Sequence, residues 1–301
     1  MSTIAIIVTH NRLDCLKNCL SHLNNLSSMP DKILVIDNNS SDGTHEYLSS
    51  NQIDFIHSEV NTGSAGGWNL GINYALNNSY EFIWLMDDDG YPDKHSLENL
   101  EKILKSSNEI VCLSSLVIDC SNLNKLAIPL PILDYKKLPI LLSLKRKIYL
   151  KNDKILNKDS LYEFANFFNG ALIKTKAIKE IGSINKDFFL YGEEVDFFFR
   201  LRQIGRVYTL NSAIHYHPNI NKPWTLIKIY FYLKNSIILN YKYYDKPFLR
   251  SLANIFIIYV RVFKNNGFLF FSKLFLFKHM NLIYSAIYRG FKGKIGNDYK
   301  S

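Results

Sequence analysis

Residues 81–93 read EFIWLMDDDGYPD, and this stretch determines how the first half of the chain is interpreted. Its beginning is apolar and aromatic, which is typical of a strand that is buried on both faces. Three carboxylates follow without a break, Asp87, Asp88 and Asp89, and then Gly90. Adjacent like charges repel one another, but carboxylate oxygens are ligands that suit Mg²⁺ and Mn²⁺. The stretch therefore predicts either a metal site at a strand end or an acidic turn built on Asp89 and Gly90.

Strands and helices alternate along the first half of the chain. Besides residues 81–87, apolar runs predict strands at residues 3–9, 32–38, 54–60 and 109–118. Helical patterns lie between them, at residues 11–23, from 44 onward, at 66–77 and at 96–105. Continuous apolar strands joined by helices predict an α/β fold with a mixed, mainly parallel sheet that helices cover on both faces. In such sheets the ligand site lies beyond the carboxyl ends of the strands.

The second half of the chain is less regular. Residues 121–160 mix prolines, apolar runs and lysines, which predicts an irregular excursion near the site. A strand and a short helix are predicted within residues 164–182, a helix from about Glu193, and a strand at residues 207–218.

Charge is distributed unevenly along the 301 residues. The net charge is +9, and residues 221–301 hold 14 lysines and arginines against 2 acidic residues, together with 20 of the 42 aromatic residues. The rest of the chain is slightly acidic, so the sequence predicts two parts with different roles. A hydrophobic content of 47% indicates that the chain forms a core.

The basic, aromatic tail is predicted to be helical. Its longest uncharged run, Ser251–Val260, is ten residues, whereas about 20 are needed to cross a bilayer. We therefore expect the tail to lie on an anionic membrane surface without crossing it. The alternative is that its helices pack on the main domain or on a second copy in a homo-oligomer. The first residues show no secretion signal, and the four cysteines show no zinc pattern, so we expect reduced thiols in the cytoplasm.

Seven motifs in chain order resemble those of the family 2 glycosyltransferases, which have the GT-A fold. They are VTHNR, VIDNNSSDGT, NTGSAGGWNLGI, WLMDDDGYP, FNGALI, LYGEEVDFFFR and HYHP. Within the family the likeness is greatest to bacterial galactofuranosyltransferases, because of the NTGSAGGWN loop, the three aspartates and the histidine-containing strand. The resemblance implies a GT-A domain over residues 1–220, with a nucleotide-sugar half to about 120 and an acceptor half after it, followed by the basic helical region 221–301.

The resemblance also implies a bound Mn²⁺ or Mg²⁺ ion, which would neutralise the diphosphate leaving group. It assigns Asp87 and Asp89 to the metal and its diphosphate, while Asp88 would brace the site or touch the sugar. A histidine at the end of the last strand would complete the ligands. His215 and His217 both qualify, and the Tyr-His-Pro sequence favours His217.

The nucleotide and the sugar are assigned by the same resemblance. Asp37 would accept a hydrogen bond from the imide N–H of uracil, although an isolated aspartate in DNNSSDGT would by default be a helix or turn cap. The residues implied for the nucleotide are Thr9, Asn11, Arg12, Asp37 and Gly63. Those implied for the donor sugar or the acceptor are Gly66, Gly67, Trp68, Asn69, Asp88 and Glu193. Asn38 and Asp42 are expected to be structural.

Glu194 matches the position of the family's general base, which takes the proton of the acceptor hydroxyl in a single, inverting displacement. Many relatives have aspartate there, so this side chain is one methylene longer. The resulting expectation is an inverting, metal-dependent transferase. It would move galactofuranose from UDP-galactofuranose to a cell-surface polysaccharide or lipid-linked glycan, on the inner face of the bacterial membrane.

Several alternatives remain open. Within the class, a rhamnosyltransferase using dTDP-rhamnose shares nearly all the motifs. A sugar nucleotidyltransferase would have a glycine-rich activation loop with Arg and Lys after the first strand, which VTHNRLDC lacks. A nucleic-acid- or membrane-binding protein without catalysis would explain the basic tail. It would also turn three aspartates toward a polyanion, so we predict no nucleic-acid partner.

Overall fold

The computed structural model describes residues 2–141, 143, 145–157, 160–218, 223–275 and 279–299. Contacts divide the chain into two compact units. The first, here called the sheet unit, comprises Met1–Thr62, Gly67–Ile184 and Phe197–Asn219. The second, the helical unit, comprises Gly63–Gly66, Asn185–Asp196 and Ile220–Ser301. The helical unit thus takes in two short segments that lie earlier in the chain than the basic tail.

The sheet unit is built on a mixed, mainly parallel sheet, as predicted. Its strands are β1 (Thr3–Thr9), β2 (Lys32–Asp37), β3 (Phe55–His57), β4 (Phe82–Asp87), β5 (Tyr91–Pro92), β6 (Ile110–Asp119), β7 (Asn122–Pro131), β8 (Lys147–Leu150), β9 (Leu161–Tyr162), β10 (Asn169–Lys174) and β11 (Arg206–His217). The order of the main strands is β3-β2-β1-β4-β10-β6-β11-β5. Strands β1 to β4 are parallel, β10 is antiparallel to β4 and β6, and β11 is parallel to β6. The carboxyl ends of β1, β2 and β4 therefore meet at one edge.

Helices connect these strands and then form the tail. They are α1 (Leu13–Leu23), α2 (Thr44–Ser50), α3 (Gly63–Asn77), α4 (Ser96–Ser106), α5 (Lys154–Asn157), α6 (Thr175–Ile181), α7 (Glu193–Arg202), α8 (Leu226–Tyr243), α9 (Pro247–Phe275) and α10 (Met280–Phe291). The first turns of α3 and α7 group with the helical unit, and the remainder of both helices belongs to the sheet unit.

The core of the sheet unit explains why the alternating apolar pattern folds as it does. Every residue of β1 is buried, so this strand is covered on both faces. The apolar sides of α1 and α4 pack with it, and Leu16, Leu97 and Leu100 are fully buried. Burying one such side chain contributes about 1.5–3 kcal/mol. Cys19 belongs to the same cluster, so it packs in the core.

Residues 121–160 are more regular than the sequence predicted. Strand β7 pairs antiparallel with β6 and β8, and Leu126, Leu130 and Ile148 are buried in a cluster of their own. Two features of β7 made it hard to predict from the sequence. Much of the strand is exposed, and it contains Pro129 and Pro131. A proline is tolerated where its missing N–H is not needed for the ladder. The prediction of an irregular excursion was therefore wrong for Asn122–Pro131 and Lys147–Leu150, which form β7 and β8.

The helical unit has its own apolar core, formed by α8, α9 and α10. Its buried side chains include Phe231, Leu233, Ile258 and Ile283. Lys234 is also fully buried, and its ammonium donates to Asp298 Oδ1 at 2.6 Å and to the carbonyl of Gly296 at 2.7 Å. A buried charge is tolerated only when it is paired in this way.

Helix α9 bears on the expectation about the membrane. By length and composition alone, Pro247–Leu274 would be long and apolar enough to cross a bilayer, with a mean hydropathy of 1.2. One such helix is weak evidence, and Gly267, whose φ is 80°, interrupts the helical backbone within it. Contact with a membrane surface, without crossing, therefore stays a prediction.

Candidate active site

The three aspartates at the end of β4 surround an arginine. Arg12, at the start of α1, forms an ion pair with Asp89 Oδ2, and its Nη1 lies 3.1 Å from Asp88 Oδ1. Burial alone would lower the pKa of Arg12, but the charges of Asp88, Asp89 and Asp87 outweigh it and raise that pKa. The sequence assigned Arg12 to the nucleotide, so its role as the neutralising partner was missed. Three carboxylates against one guanidinium still leave a negative cluster.

The middle aspartate is the most enclosed member of this carboxylate cluster. Asp88 is fully buried, and its Oδ2 accepts a hydrogen bond from Thr9 Oγ1 at 2.6 Å. Burial raises the pKa of Asp88 to about 6, although Arg12 and Thr9 oppose the shift. Thr9 ends β1 beside the end of β4, so the two neighbouring strands position Asp88 directly. These contacts support bracing, one of the two predicted roles of Asp88, and its contact with the sugar stays a prediction.

His217 lies at the end of β11 beside Asp89. Its Nδ1 is 2.8 Å from the carbonyl oxygen of Pro218, which cannot donate, so Nδ1 carries the proton. In the neutral ring Nε2 is then an acceptor, and it lies 3.1 Å from Asp89 Oδ1. Two acceptor atoms at this distance repel each other unless a proton or a cation compensates them.

A divalent cation fits this set of donor atoms. Burial alone would raise the pKa of Asp89, but a hydrogen bond donated by the protonated ring of His217 and the charge of Arg12 lower it to about 2. Asp89 is therefore ionised at neutral pH, as a metal ligand must be. Carboxylate oxygens together with one imidazole whose other ring nitrogen donates to a backbone carbonyl are a common set of metal ligands. Asp87, half-buried at the end of β4, would supply a further oxygen.

His215 occupies a different environment from His217. Residues two apart on a strand point to the same side, but His215 is fully buried. Burial, reinforced by the nearby His217, lowers the pKa of His215 to about 3, so its ring is neutral. A Cβ on Gly90 would lie 2.4 Å from His215 Nε2, so the glycine after the aspartates allows the turn to pack on this ring. His215 thus supports the turn, whereas His217 contacts a carboxylate.

The loops after β1 and β2 are joined by side chains. Asn11 Oδ1 accepts from the N–H of Ser41 at 2.7 Å, and the N–H of Asn11 donates to Ser40 Oγ at 3.0 Å. Asp37, fully buried at the end of β2, accepts from the N–H of Ser40 at 3.0 Å and from His57 Nδ1 at 2.9 Å. A carboxylate has about four acceptor positions, so Asp37 can accept a further hydrogen bond.

Two residues expected to be structural are confirmed as such. Asn38 Oδ1 accepts from the N–H of Thr62 at 3.0 Å, and Asp42 Oδ2 accepts from the N–H of Leu13 at 2.9 Å. Both side chains tie loops together at the same edge of the sheet. His57 was not singled out from the sequence, because its contact with Asp37 depends on the pairing of β2 with β3.

The glycine-rich stretch lies within α3, which begins at Gly63 and not at Gly66 as the sequence predicted. Gly63 has a φ of 71°, and a Cβ there would lie 2.1 Å from the carbonyl oxygen of Phe189. A Cβ on Gly67 would lie 2.7 Å from Val8 Cγ1, so this glycine lets the helix pack closely on β1. These contacts explain why small residues are needed at two positions. Their predicted contacts with the donor stay predictions, as does that of Gly66.

The next two residues of the motif make contacts inside the sheet unit. Trp68 is fully buried and stacks on Phe168, with ring centroids 4.5 Å apart. Asn69 Nδ2 donates to the carbonyl oxygen of Ile184 at 2.8 Å. The structure thus gives both side chains packing and bracing contacts, and their contact with a sugar stays a prediction.

The candidate base lies at the start of α7, in the helical unit. Glu194 is half-buried in the first turn, where the helix dipole favours a carboxylate. Its neighbour Glu193 is buried and accepts a hydrogen bond from Ser64 Oγ, and burial raises the pKa of Glu193. Among the described residues, Glu193 Oε2 has no hydrogen-bond partner. The two glutamates therefore have different environments, one exposed enough to react and one fixed.

The loop before these glutamates is conformationally strained. Phe189 and Tyr191 have φ values of 60°, and Gly192 has a φ of 106°. Positive φ is costly for large side chains and must be compensated by the surroundings. The side-chain amide of Asn235, which is buried on α8, compensates this cost with hydrogen bonds from Nδ2 to the loop. This amide donates to the carbonyl oxygens of Phe188 at 3.0 Å, Leu190 at 3.0 Å and Tyr191 at 2.6 Å.

We expect Asn235→Ala to lower the free energy of unfolding by about 2–3 kcal/mol, because several buried hydrogen bonds are lost. The turnover rate of the folded variant should also fall at least roughly tenfold, since the loop leads directly into Glu194 and a small misplacement is costly. Thermal unfolding and initial rates measure the two effects. Asn240→Ala is the matched control, because this buried amide on the same helix donates to Ser251 Oγ at 3.2 Å. Equal loss of turnover in both variants would contradict a specific role for Asn235.

Comparison with known proteins gives this geometry a context. The profile of glycosyl transferase family 2 matches residues 4–182. The chain is 28% identical over 219 residues to galactofuranosyltransferase GlfT1 of Mycolicibacterium smegmatis, covering 71% of this chain and 70% of that protein. It is also 28% identical over 220 residues to the low-salt glycan biosynthesis hexosyltransferase Agl10 of Haloferax volcanii, covering 71% and 66%.

A solved structure supports the fold. The structure of GalNAc-T7 with UDP, GalNAc and Mn²⁺ matches with a TM-score of 0.64 and 14% identity, covering 91% of this chain and 56% of that one. An identity this low speaks for the fold and not for the substrate. The family profile spans more than half of the chain. The chain therefore belongs to glycosyl transferase family 2 and has the GT-A fold.

Proposed function

We propose that this glycosyltransferase transfers a sugar, with inversion, from a uridine-diphosphate donor to a hydroxyl group, using Mn²⁺ or Mg²⁺. The observation that carries the proposal is the carboxylate cluster at the end of β4, with Arg12 and His217 against it. Three carboxylates and one guanidinium leave a charge near −2, which a divalent cation balances. The cation would then neutralise the charge that develops on the departing diphosphate.

The proposed donor base is uracil. Asp37 is a buried acceptor at the end of β2, already oriented by Ser40 and His57, and an imide N–H could donate to it. Similarity to a galactofuranosyltransferase supports galactofuranose as the sugar. The alternative is rhamnose carried by thymidine diphosphate, because thymine offers the same imide N–H.

The proposed base is Glu194, which would take the proton of the acceptor hydroxyl as its oxygen attacks the sugar. Glu193 would hold a hydroxyl of the sugar or the acceptor. Its Oε2, which has no hydrogen-bond partner in the part of the chain that the structure describes, supports this role. The acceptor is proposed to be a polysaccharide or lipid-linked glycan, which the similarity to the glycan biosynthesis hexosyltransferase Agl10 supports.

Donor turnover tests this function. The purified chain is incubated with Mn²⁺ and either UDP-galactofuranose or dTDP-rhamnose, with a synthetic galactofuranosyl or rhamnosyl glycolipid as acceptor. We expect UDP release and a product one sugar heavier by mass spectrometry. Release of dTDP with no release of UDP would contradict UDP-galactofuranose as the donor and favour dTDP-rhamnose.

We further propose that the helical unit binds the anionic inner leaflet of the cell membrane. Exposed apolar side chains recur every three or four residues on α9, which places them along one side of that helix. They are Leu249, Leu252, Phe256, Val260 and Phe263. The net positive charge of the tail complements an anionic surface, and apolar burial adds to the attraction.

Vesicle sedimentation measures this binding. We expect the chain to sediment with phosphatidylglycerol vesicles more than with phosphatidylcholine vesicles, and the double variant Phe256→Glu, Phe263→Glu to lose at least roughly tenfold in affinity. Tyr149→Glu, at an exposed aromatic residue of the sheet unit, is the control. If the chain forms a stable oligomer in solution and binds neither kind of vesicle, the exposed side of α9 would instead be the contact with a second copy of the chain.

A further inference from the structure

Three potential metal ligands meet near the end of β2, apart from the aspartate cluster. They are Asp37, His45 and His57, and one ligand atom of each lies within 4.8 Å of the others. Strand pairing aligns Asp37 with His57, so the two side chains meet at the same end of the sheet. His45 approaches from the first turn of α2, with its ring centroid 5.0 Å from that of His57.

The distances and burial suit an ion held at this position. Asp37 Oδ2 and His57 Nδ1 are 2.9 Å apart, which is a hydrogen-bond distance. Around a tetrahedral ion with bonds of about 2.0–2.1 Å, neighbouring ligand atoms lie about 3.3–3.4 Å apart. An ion that replaced the proton between these two atoms would therefore need them to separate by only a few tenths of an ångström. Asp37 is fully buried and already oriented by the N–H of Ser40. His57 is partly exposed and His45 is exposed, so an ion can enter from that side and the His45 ring can rotate to meet it.

The chemistry of these ligands differs from that of the aspartate cluster. Two imidazoles and one carboxylate, with a fourth position left for water, favour Zn²⁺ over Mg²⁺ or Mn²⁺. The aspartate cluster is richer in oxygen and suits the harder ions. The same chain would then hold two sites with different metal preferences, both at the ends of strands in the sheet unit.

We propose that Asp37, His45 and His57 form a Zn²⁺ site whose occupation excludes the nucleotide base. A metal on the Asp37 carboxylate takes the acceptor that a base imide would use and places a positive charge next to it. Zinc and nucleotide would therefore bind in competition. The exclusion rests on the proposed function, because it requires Asp37 to contact the base, whereas the metal site itself does not.

Calorimetric titration of Zn²⁺ into the chain tests the site. Excess Mg²⁺ is present throughout to occupy the aspartate cluster. We expect one strongly bound Zn²⁺ per chain, and an affinity at least tenfold weaker in His45→Ala and in His57→Ala. His95→Ala is the matched control, since His95 also lies 3.2 Å from a carboxylate, that of Glu98. Zinc affinity that is unchanged in His45→Ala and His57→Ala, or equally weakened in His95→Ala, would overturn the site.

The competition is measured by titrating UDP, in excess Mg²⁺, with and without saturating Zn²⁺. We expect zinc to weaken UDP binding at least tenfold in the wild type and less than twofold in His45→Ala, whose exposed position makes misfolding no concern. Zinc binding that leaves UDP affinity unchanged would overturn the exclusion. A wild type that binds zinc but no UDP would instead refute the proposed donor, because the zinc titration stands without it.

Discussion

Asp89→Asn should lower kcat/KM by at least roughly 10³-fold and abolish tight Mn²⁺ binding. Asp89 contacts two basic side chains of the site. One of its carboxylate oxygens pairs with Arg12, and the other lies 3.1 Å from His217 Nε2. The amide keeps the shape of the side chain but removes its charge. Its NH₂ group would also face either a guanidinium or a ring nitrogen. Initial rates with saturating donor, together with Mn²⁺ titration followed by electron paramagnetic resonance, measure both effects.

The control for this substitution is Glu98→Gln. Glu98 is likewise a carboxylate beside a histidine, with His95 Nδ1 at 3.2 Å, but it is exposed on α4. Its loss should leave both transfer and Mn²⁺ binding unchanged. Melting temperatures identify any fraction of Asp89→Asn that fails to fold. A folded Asp89→Asn chain that transfers sugar at more than a tenth of the wild-type rate would contradict the prediction. It would show that Arg12 alone can neutralise the charge of the leaving diphosphate.

Glu194→Gln is expected to lower kcat by roughly 10²–10⁴-fold, the range typical of a lost general base. The amide cannot accept the proton of the acceptor hydroxyl, but it preserves the size of the side chain. Binding of UDP with Mn²⁺ should be retained, because in the proposed mechanism the base acts on the acceptor. Single-turnover rates and UDP calorimetry separate the two quantities.

Glu46→Gln provides the comparison for Glu194→Gln, since Glu46 is an exposed carboxylate in the first turn of another helix, α2. This variant should transfer at the wild-type rate. Normal turnover by Glu194→Gln would remove Glu194 as the base. Loss of UDP binding in the same variant would instead indicate that the glutamate shapes the donor site.

Much of the sheet unit could be predicted from the sequence, because strands that are buried on both faces appear in it as continuous apolar runs. The ends of β1, β2 and β4 fall at Thr9, Asp37 and Asp87, within one residue of the predicted bounds. Residues 121–160 could not be predicted in this way, since β7 is a partly exposed strand that contains prolines. Its apolar side is visible only once β6 and β8 lie beside it.

The partners of the site residues were harder to foresee. Arg12 is 77 residues from Asp89 in the sequence, and the pattern VTHNR gives no indication that its charge is used there. Asn235 lies in an apolar helix, and nothing in the sequence around it indicates that its side chain contacts the Phe189–Gly192 loop. Motifs thus identify the residues that bear chemistry, whereas the residues that hold them in place emerge from packing.

Transfer activity after exhaustive chelation tests most directly whether the carboxylate cluster works through a divalent ion. The chain is treated with EDTA, freed of the chelator and assayed before and after addition of Mn²⁺ or Mg²⁺. We predict background activity in the metal-free chain, full recovery with either ion, and one ion bound per chain with UDP at the aspartate cluster. Undiminished transfer by the chelated chain would contradict this and leave Arg12 as the counter-charge of the leaving diphosphate.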